Sequence, residues 1–401
     1  MSGSPVRPRL FYLFTQLKLT DYMNNNICLL SPEEQSLRLS RLCVDVPMLI
    51  ADNANLFYLT GRVFAGYLYL APGEAPRYFV RRPCTLQGDG VTLIRKPEEI
   101  GITVAQLGLE LSSLPYADAQ RLQAAFGAET LVNISPAIMA ARAVKTPAEI
   151  ALLEADGVRQ AEVYSHVPAM CEEGMTDVEL LVEIEHRLRL EGCLGQFRVN
   201  GPSMELHMGN LLVGDNADEP SPYDFAMGGA GQHPSLPVGA CGEPIRPGKS
   251  VMVDVNGNFN GYMTDMTRTF ASGKVSDLAL KAHACSVEIC RRLAEIGRPG
   301  AEAKALHAEA VAIVERAGLT DYFMGHRQHA GFIGHGVGIE INELPVIAPR
   351  SKHILAEGNV IALEPKFVIP GVGAVGIENT YVCESDGLRC ITIFNEELMS
   401  L

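Results

Sequence analysis

The chain has 401 residues, 47% of them apolar and 20% charged, a composition that folds rather than stays disordered. Its 33 Lys and Arg against 47 Asp and Glu leave a formal charge of −14, which argues against nucleic acid and anionic membrane surfaces as partners, since both demand clustered cations. No apolar run approaches the ~18 residues that span a bilayer. The stretch Met1–Phe14 carries basic residues without the apolar core or cleavage site of a signal peptide. The ten cysteines are scattered with no Cys-x-x-Cys pair, and read as buried free thiols in a reducing cytoplasm.

At this length two domains are expected: an N-terminal α/β unit over 1–145 and a second over 146–401, with no role assigned to residues 1–32. In the first, Met48-Leu49-Ile50-Ala51 reads as a buried strand and Asp52-Asn53-Ala54-Asn55 as a turn. Tyr67-Leu68-Tyr69-Leu70 reads as a second strand, Pro72-Gly73 as a turn and Tyr78-Phe79-Val80 as a third strand. All ten histidines fall between His166 and His353, which places the chemistry in the second half. There, Thr146-Pro147-Ala148-Glu149 carries a capping residue, a proline suited to the first helical turn and the glutamate of a capping box. Thr176-Asp177-Val178-Glu179 repeats the signal before Leu180, Leu181, Ile184 and Leu188, with a stop at Gly192. Two further helices are predicted over Ser276–Ile296 and Glu302–Ala317, and strand-rich stretches over 250–270 and 358–393. The order helices, strands, helices, strands hints at a pseudo-repeat and fits helices flanking a mostly antiparallel sheet, an α+β layer architecture.

Four segments carry chemistry. Val251-Met252-Val253-Asp254 is an apolar strand ending in a carboxylate, and Asp265 follows eleven residues later. The turn signal Asn256-Gly257-Asn258 between them predicts a returning strand that sets the two acids side by side. Adjacent carboxylates need a shared proton or a cation. Gly334-His335-Gly336-Val337-Gly338 puts an imidazole on an open backbone. Ile361-Ala362-Leu363-Glu364-Pro365 and Ala374-Val375-Gly376-Ile377-Glu378 each end an apolar strand in Glu, fourteen residues apart. Buried Glu is rare unless paired or bound to a cation. Four carboxylates and one imidazole exceed what one metal needs and suit two divalent ions, Mn²⁺, Fe²⁺, Co²⁺ or Zn²⁺, ~3.5–4 Å apart.

The spacing and wording of these segments resemble the metallopeptidase family of methionine aminopeptidase, prolidase and aminopeptidase P. The matching stretches are Gly261-Tyr262-x-x-Asp265-x-Thr267-Arg268-Thr269, Gly334-His335-Gly336-Val337-Gly338 and Glu364-Pro365. Asn55-Leu56-Phe57-Tyr58-Leu59-Thr60-Gly61 resembles the N-terminal domain of the prolidase and creatinase branch, and Lys145-Thr146-Pro147-Ala148-Glu149-Ile150 its junction. The resemblance implies a pseudo-symmetric α+β "pita-bread" domain preceded by a smaller creatinase-type α/β domain. It implies that Asp254, Asp265, His335, Glu364 and Glu378 are metal ligands, with Asp265 and Glu378 bridging two divalent ions, and that His335 and Glu364 are catalytic, Glu364 as a proton shuttle. It implies hydrolysis of the amide bond before proline in short peptides or small amides by a cytoplasmic homodimer.

Several positions depart from that family's pattern. Where a second His usually stands, seven residues after His335, this chain has Asn342 in Asn342-Glu343-Leu344-Pro345. Leu236-Pro237 is followed by Val238 rather than a pocket His, and His233 is a candidate substitute. Gly376 stands where Arg is frequent and Lys366 where Gly is preferred. Lys366 reads as a solvated loop residue in preference to a partner for a carboxylate. Asn342, His233 and His207 are substrate-pocket candidates, with His326 and His329 further ones, and Pro220-Ser221-Pro222-Tyr223-Asp224 is a candidate rim loop. The departures leave open a metal-dependent non-peptidase, a lyase or C–N hydrolase, and a silent binding module, against which retention of all five ligands argues.

Overall fold

The computed structural model describes residues 24–201 and 206–401, so the Met1–Phe14 stretch lies outside the described residues. The chain divides into two units, one ending at Ala141 and one running from Arg142 to Leu401.

The first unit holds α1 (Pro32–Ser40), β1 (Met48–Ile50), α2 (Asn53–Thr60), β2 (Ala65–Leu70), β3 (Arg77–Arg82), β4 (Val91–Leu93), β5 (Gln106–Leu109), α3 (Tyr116–Ala125) and β6 (Thr130–Asn133), and α4 (Ser135–Ala143) spans the boundary. Its strands form one mixed sheet in the order β4-β3-β2-β1-β5-β6, with β1 antiparallel to β2 and parallel to β5. Leu122 and Phe126 close one face over Phe79, Leu107 and Leu109. The segment predicted as a turn at Asp52–Asn55 instead starts α2. The Asp52 carboxylate accepts the backbone N–H of Ala54 at 2.8 Å and Asn55 at 3.3 Å, and the helix ends at Gly61 with φ 69°. An Asp that can close a turn can equally cap a helix, and the buried run Leu56-Tyr58-Leu59 that follows decides for the helix.

In the second unit both capping boxes form. Thr146 starts α5 (Pro147–Ser165), α6 (Val167–Met170) follows, and Thr176 starts α7 (Asp177–Leu190). Then come β7 (Gly209–Val213), β8 (Lys249–Val255), β9 (Thr267–Ser272), α8 (Asp277–Ile296), α9 (Ala303–Ala317), β10 (Gly334–Gly336), β11 (Glu343–Ile347), β12 (Val360–Leu363), β13 (Lys366–Ile369), β14 (Gly373–Gly376), β15 (Asn379–Glu384), β16 (Gly387–Cys390) and β17 (Met399–Ser400). One sheet runs β17-β9-β8-β7 and another β11-β10-β12-β15-β16, with β13 and β14 as a separate hairpin. Each sheet is covered by its own helix pair. Val163, Leu180, Ile184 and Leu188 pack on Leu211, Val251, Val253 and Phe270. Ile289, Leu293, Leu306 and Ile313 pack on Ile361, Leu363, Phe367 and Val375. This is the predicted α+β layering, and it leaves the strand ends of both sheets facing one another inside the unit.

The return between β8 and β9 is longer than the tight turn predicted at Asn256-Gly257-Asn258. Asp254 pairs with Thr267, Gly257 bridges Thr264, and the chain reverses further on, where Asn258 Oδ1 accepts the N–H of Gly261 at 3.0 Å. The Asp156 carboxylate of α5 holds that reversal, accepting from Phe259 N at 2.8 Å and Asn260 Nδ2 at 2.7 Å. All ten cysteines are free, but Cys43, Cys84 and Cys241 are exposed rather than buried. Among the described residues, no helix is long and apolar enough to cross a membrane.

Candidate metal centre

Four of the candidate ligands sit at or just beyond strand ends, and His335 sits within the short strand β10. Asp254 lies near the end of β8. Asp265 precedes β9, and Thr380 clamps its backbone, taking the Asp265 N–H at 2.9 Å and donating to the Asp265 carbonyl at 2.7 Å. His335 is the centre of β10, and its flanking glycines are required by close backbone approach. A Cβ at Gly334 would stand 2.3 Å from the Ala362 carbonyl oxygen, and one at Gly336 2.1 Å from that of Leu344. Glu364 follows β12, its N–H donating to the Ile333 carbonyl at 2.9 Å. Glu378 joins β14 to β15. Its N–H donates to the Thr267 carbonyl at 3.1 Å, and the Glu378 carbonyl accepts from Nη1 of the fully buried Arg268 at 2.8 Å. Thr267 and Arg268 are thus the residues that fix Glu378, a role the sequence motif gives no hint of.

These ends converge. His335 Nε2 lies 3.4 Å from Glu364 Oε1 and 3.8 Å from Asp265 Oδ2, while Nδ1 faces the Gly336 carbonyl at 3.1 Å. Asp265, His335 and Glu378 each offer a ligand atom, all within 4.8 Å of one another, a set that fits one cation. Glu378 Oε2 accepts from Thr267 Oγ1 at 2.8 Å, but its Oε1 is buried with no hydrogen-bond partner among the described residues. Such an orphaned carboxylate oxygen calls for a ligand.

Lys366 corrects the sequence reading. Far from being a solvated loop residue, it opens β13 and its side chain is 0% exposed. Its Nζ donates to Asp254 Oδ2 at 2.8 Å, Glu364 Oε2 at 2.8 Å and Glu378 Oε2 at 2.9 Å. A lysine after Glu-Pro looks like a loop residue by composition alone. What buries it is the hairpin β13–β14, which folds its four-residue run Lys366–Ile369 inward.

Electrostatics follow from burial and neighbours. Burial and the nearby Asp254 raise the Asp265 carboxyl to about 7. Burial acts the same way on Glu364, but the Lys366 ammonium and His335 outweigh it and hold Glu364 at about 2. His335 loses solvation yet is carried up to about 10 by Glu364, Asp265 and Glu378. Glu378 is pushed well above the ordinary carboxylate range by burial, Asp265 and Glu364. For Lys366 burial again opposes the charge, and its three carboxylates outweigh it. Four carboxylates face one ammonium and one imidazole, so the cage is short of positive charge.

A cavity of about 250 Å³ opens onto this cage. Phe197, Phe225, Met227, Phe332, Ile341 and Val346 give it apolar walls, and Asp224, Asn256 and Asn342 add polar groups. The rim segment predicted at Pro220–Asp224 therefore reaches it through Asp224. Asn342 lines it while gripping a neighbouring loop, Oδ1 accepting from Asn200 N at 2.7 Å and Nδ2 donating to Asn200 O at 2.8 Å. His233 and His207 do not line the cavity. Both are exposed, and His233 Nδ1 is occupied by Ser235 at 2.8 Å. His326 pairs with Asp218 at 2.8 Å and His329 with the Phe323 carbonyl at 2.9 Å, also outside it. Val238 is buried.

Residues 152–385 match the model of metallopeptidase family M24, and residues 47–144 that of the creatinase/prolidase N-terminal domain. The Xaa-Pro dipeptidase of Pyrococcus horikoshii is 25% identical over 88% of this chain and 94% of its own length. The Xaa-Pro dipeptidase of Pyrococcus furiosus is 26% identical over 87% and 94%. Among solved structures, the prolidase from Pyrococcus horikoshii OT3 superposes with a TM-score of 0.75 at 23% identity, covering 92% of this chain and 100% of that one. The X-Pro aminopeptidase from Thermotoga maritima superposes with 0.73 at 19%, covering 89% and 97%.

Proposed function

From the premise that the chain belongs to metallopeptidase family M24, we propose that it is a metal-dependent peptidase of the Xaa-Pro dipeptidase and aminopeptidase type, hydrolysing the amide bond before proline in short peptides. The observation that carries this reading is the set Asp265, His335 and Glu378, two of them buried and the imidazole half-buried, lining a small, mainly apolar cavity. The names of the Pyrococcus relatives support the substrate class. They do not favour a lyase or a non-peptide C–N hydrolase.

A divalent ion on Asp265, His335 and Glu378 would supply a Lewis acid and a water acidic enough to attack at neutral pH. The chain's own residues do the rest. The Glu364 carboxylate, held ionised beside Lys366, takes the proton of the attacking water on Oε1 and returns it to the leaving amine. The phenylalanine walls suit a pyrrolidine ring and exclude bulk water, and Asp224 offers a negative charge to the peptide's amino terminus. A volume of about 250 Å³ limits the occupant to a short peptide. The same reading carries a cytoplasmic homodimer and Mn²⁺, Co²⁺, Fe²⁺ or Zn²⁺ as the ion. The full two-ion arrangement implied by the resemblance would require Lys366 to leave its three carboxylates.

The test is a panel of Xaa-Pro dipeptides and tripeptides with Mn²⁺ or Co²⁺ added. Turnover should vanish on chelation, return with the ion, and fall by about 10³-fold in Glu364→Ala. Turnover that survives both treatments would overturn the assignment.

A further inference from the structure

We propose that the Lys366 ammonium is a built-in cation standing in for one of two divalent ions, so that the cage holds a single ion, on Asp265, His335 and Glu378. The inference rests on the metallopeptidase reading above, which supplies the expectation of bound metal, and departs from it in the number of ions.

Geometry carries it. An ammonium has three N–H donors, and all three have a carboxylate within 2.9 Å: Asp254, Glu364 and Glu378. Two ions would have to share the same carboxylates at ~3.5–4 Å from each other, and the oxygens facing the Asp254 and Glu364 side are already committed to Nζ. The side chain is 0% exposed, so its charge is met by these carboxylates and not by water. Asp265, His335 and Glu378 still offer ligand atoms within 4.8 Å of one another, and Glu378 Oε1 is buried without a hydrogen-bond partner among the described residues.

Charge agrees. With neutral imidazole, four carboxylates against one ammonium and one divalent ion leave a single net negative charge. A second divalent ion would leave net positive charge packed against a buried ammonium, a costly arrangement at low dielectric.

The sequence departures also agree, because two of them are one local change. Lys366 pairs directly with Gly376 across the β13–β14 hairpin. Gly376 has φ 135°, and a Cβ there would stand 3.1 Å from the Lys366 Cα and 3.0 Å from the Pro365 carbonyl oxygen. The glycine at 376 lets the backbone carrying the lysine come close. Lys366 is then a positioning residue: it fixes Asp254 and Glu364, and it is a cation that no chelator removes.

Elemental analysis of the full chain after dialysis against Mn²⁺ or Co²⁺, with thermal melts in parallel, tests this. The wild type should hold about one ion per chain, and Lys366→Gly and Lys366→Met about two. Lys366→Met should melt below the wild type without added ion and gain more from Mn²⁺ than the wild type does, since the ion then replaces the missing charge. About two tightly held ions in the wild type would overturn the inference and leave the peptidase reading standing. No ion in the wild type, with peptide turnover untouched by chelator, would sink that reading and the single-ion site with it. Should the Lys366 variants fail to fold, the wild-type stoichiometry alone decides.

Discussion

Two buried charge clusters lie within the second unit, and they are built on opposite principles. In one, Arg142 meets Glu340 at 2.7 Å and also Glu343, while Lys145 meets Glu343 at 2.9 Å. Two cations face two carboxylates, and burial of Glu343 is outweighed by Arg142 and Lys145, which hold its carboxyl at about 2. That cluster is closed: its charges balance inside the protein. In the other, Lys366 stands among Asp254, Glu364 and Glu378 with Asp265 and His335 beside it, and negative charge remains in excess. A closed cluster holds structure together. An open one is a receptor for a cation, at some cost to the protein that carries it.

The largest expected effect breaks the closed cluster. Arg142→Met removes the guanidinium that Glu340 and Glu343 share and should cost about 3–5 kcal/mol, read from urea unfolding. Ion content per folded chain should not change. The mirror change in the open cluster, Glu378→Gln, removes one negative charge from a set already short of cations. It should cost no more than about 1 kcal/mol of stability while weakening ion retention at least about tenfold. If Glu378→Gln destabilises as much as Arg142→Met with ion retention intact, the distinction between the clusters fails.

Another buried carboxylate, in the first unit, sharpens the comparison because among the described residues no cation pairs with it. Glu110 is buried and accepts from neutral donors: Ala51 N at 2.7 Å, Asp52 N at 2.9 Å and Asn55 Nδ2 at 2.7 Å. Burial outweighs these bonds and raises its carboxyl to about 7. The native state then binds a proton that the unfolded chain releases from about pH 4.5 upward, so stability falls as pH rises from that point to about 7. The expected loss between pH 5 and pH 8 is about 2–3 kcal/mol, and Glu110→Gln should flatten it. Urea titrations at the two pH values, followed by circular dichroism, read the difference. An unchanged slope in the variant would remove Glu110 as its source.

How much of this was legible in the sequence depends on whether a residue's partner is local. The capping boxes of Thr146 and Thr176 are read within four letters, and both form. The convergence of Asp254, Asp265, His335, Glu364 and Glu378 was legible because Asp254, Glu364 and Glu378 each end an apolar run and the family pattern orders all five. Asp52 was misread because a turn and a helix cap use the same chemistry, and only the burial of the next turn separates them. Lys366 was misread because its partners are 112, 2 and 12 residues away, and two of them become neighbours only when β8 and the end of β14 meet. Lys145 and Glu149 belong to a segment that matches the family's wording, yet their work is structural. Lys145 pairs with Glu343, and Glu149 accepts the Tyr262 hydroxyl at 2.9 Å. A motif marks positions that matter without saying which of them touch the reacting atoms.

The smallest expected effect concerns Asn342, which stands where the family pattern has histidine. Its amide is closed on one residue, accepting from the N–H of Asn200 and donating to its carbonyl. A neutral imidazole carries its donor and acceptor on separate ring nitrogens pointing apart, and cannot grip the N–H and C=O of a single residue in this way. Asn342→His should therefore behave like Asn342→Ala, each losing two modest hydrogen bonds at about 1–2 kcal/mol in total. Both should raise KM for a short Xaa-Pro peptide more than they lower kcat, because the cavity wall loosens while the metal ligands stay in place. Asn342→Asp keeps the acceptor and loses the donor, and should sit about halfway. A gain in kcat for Asn342→His would mean that the position takes part in the chemistry, and that the contrast between a closed structural pairing and an open chemical one does not extend to the cavity wall.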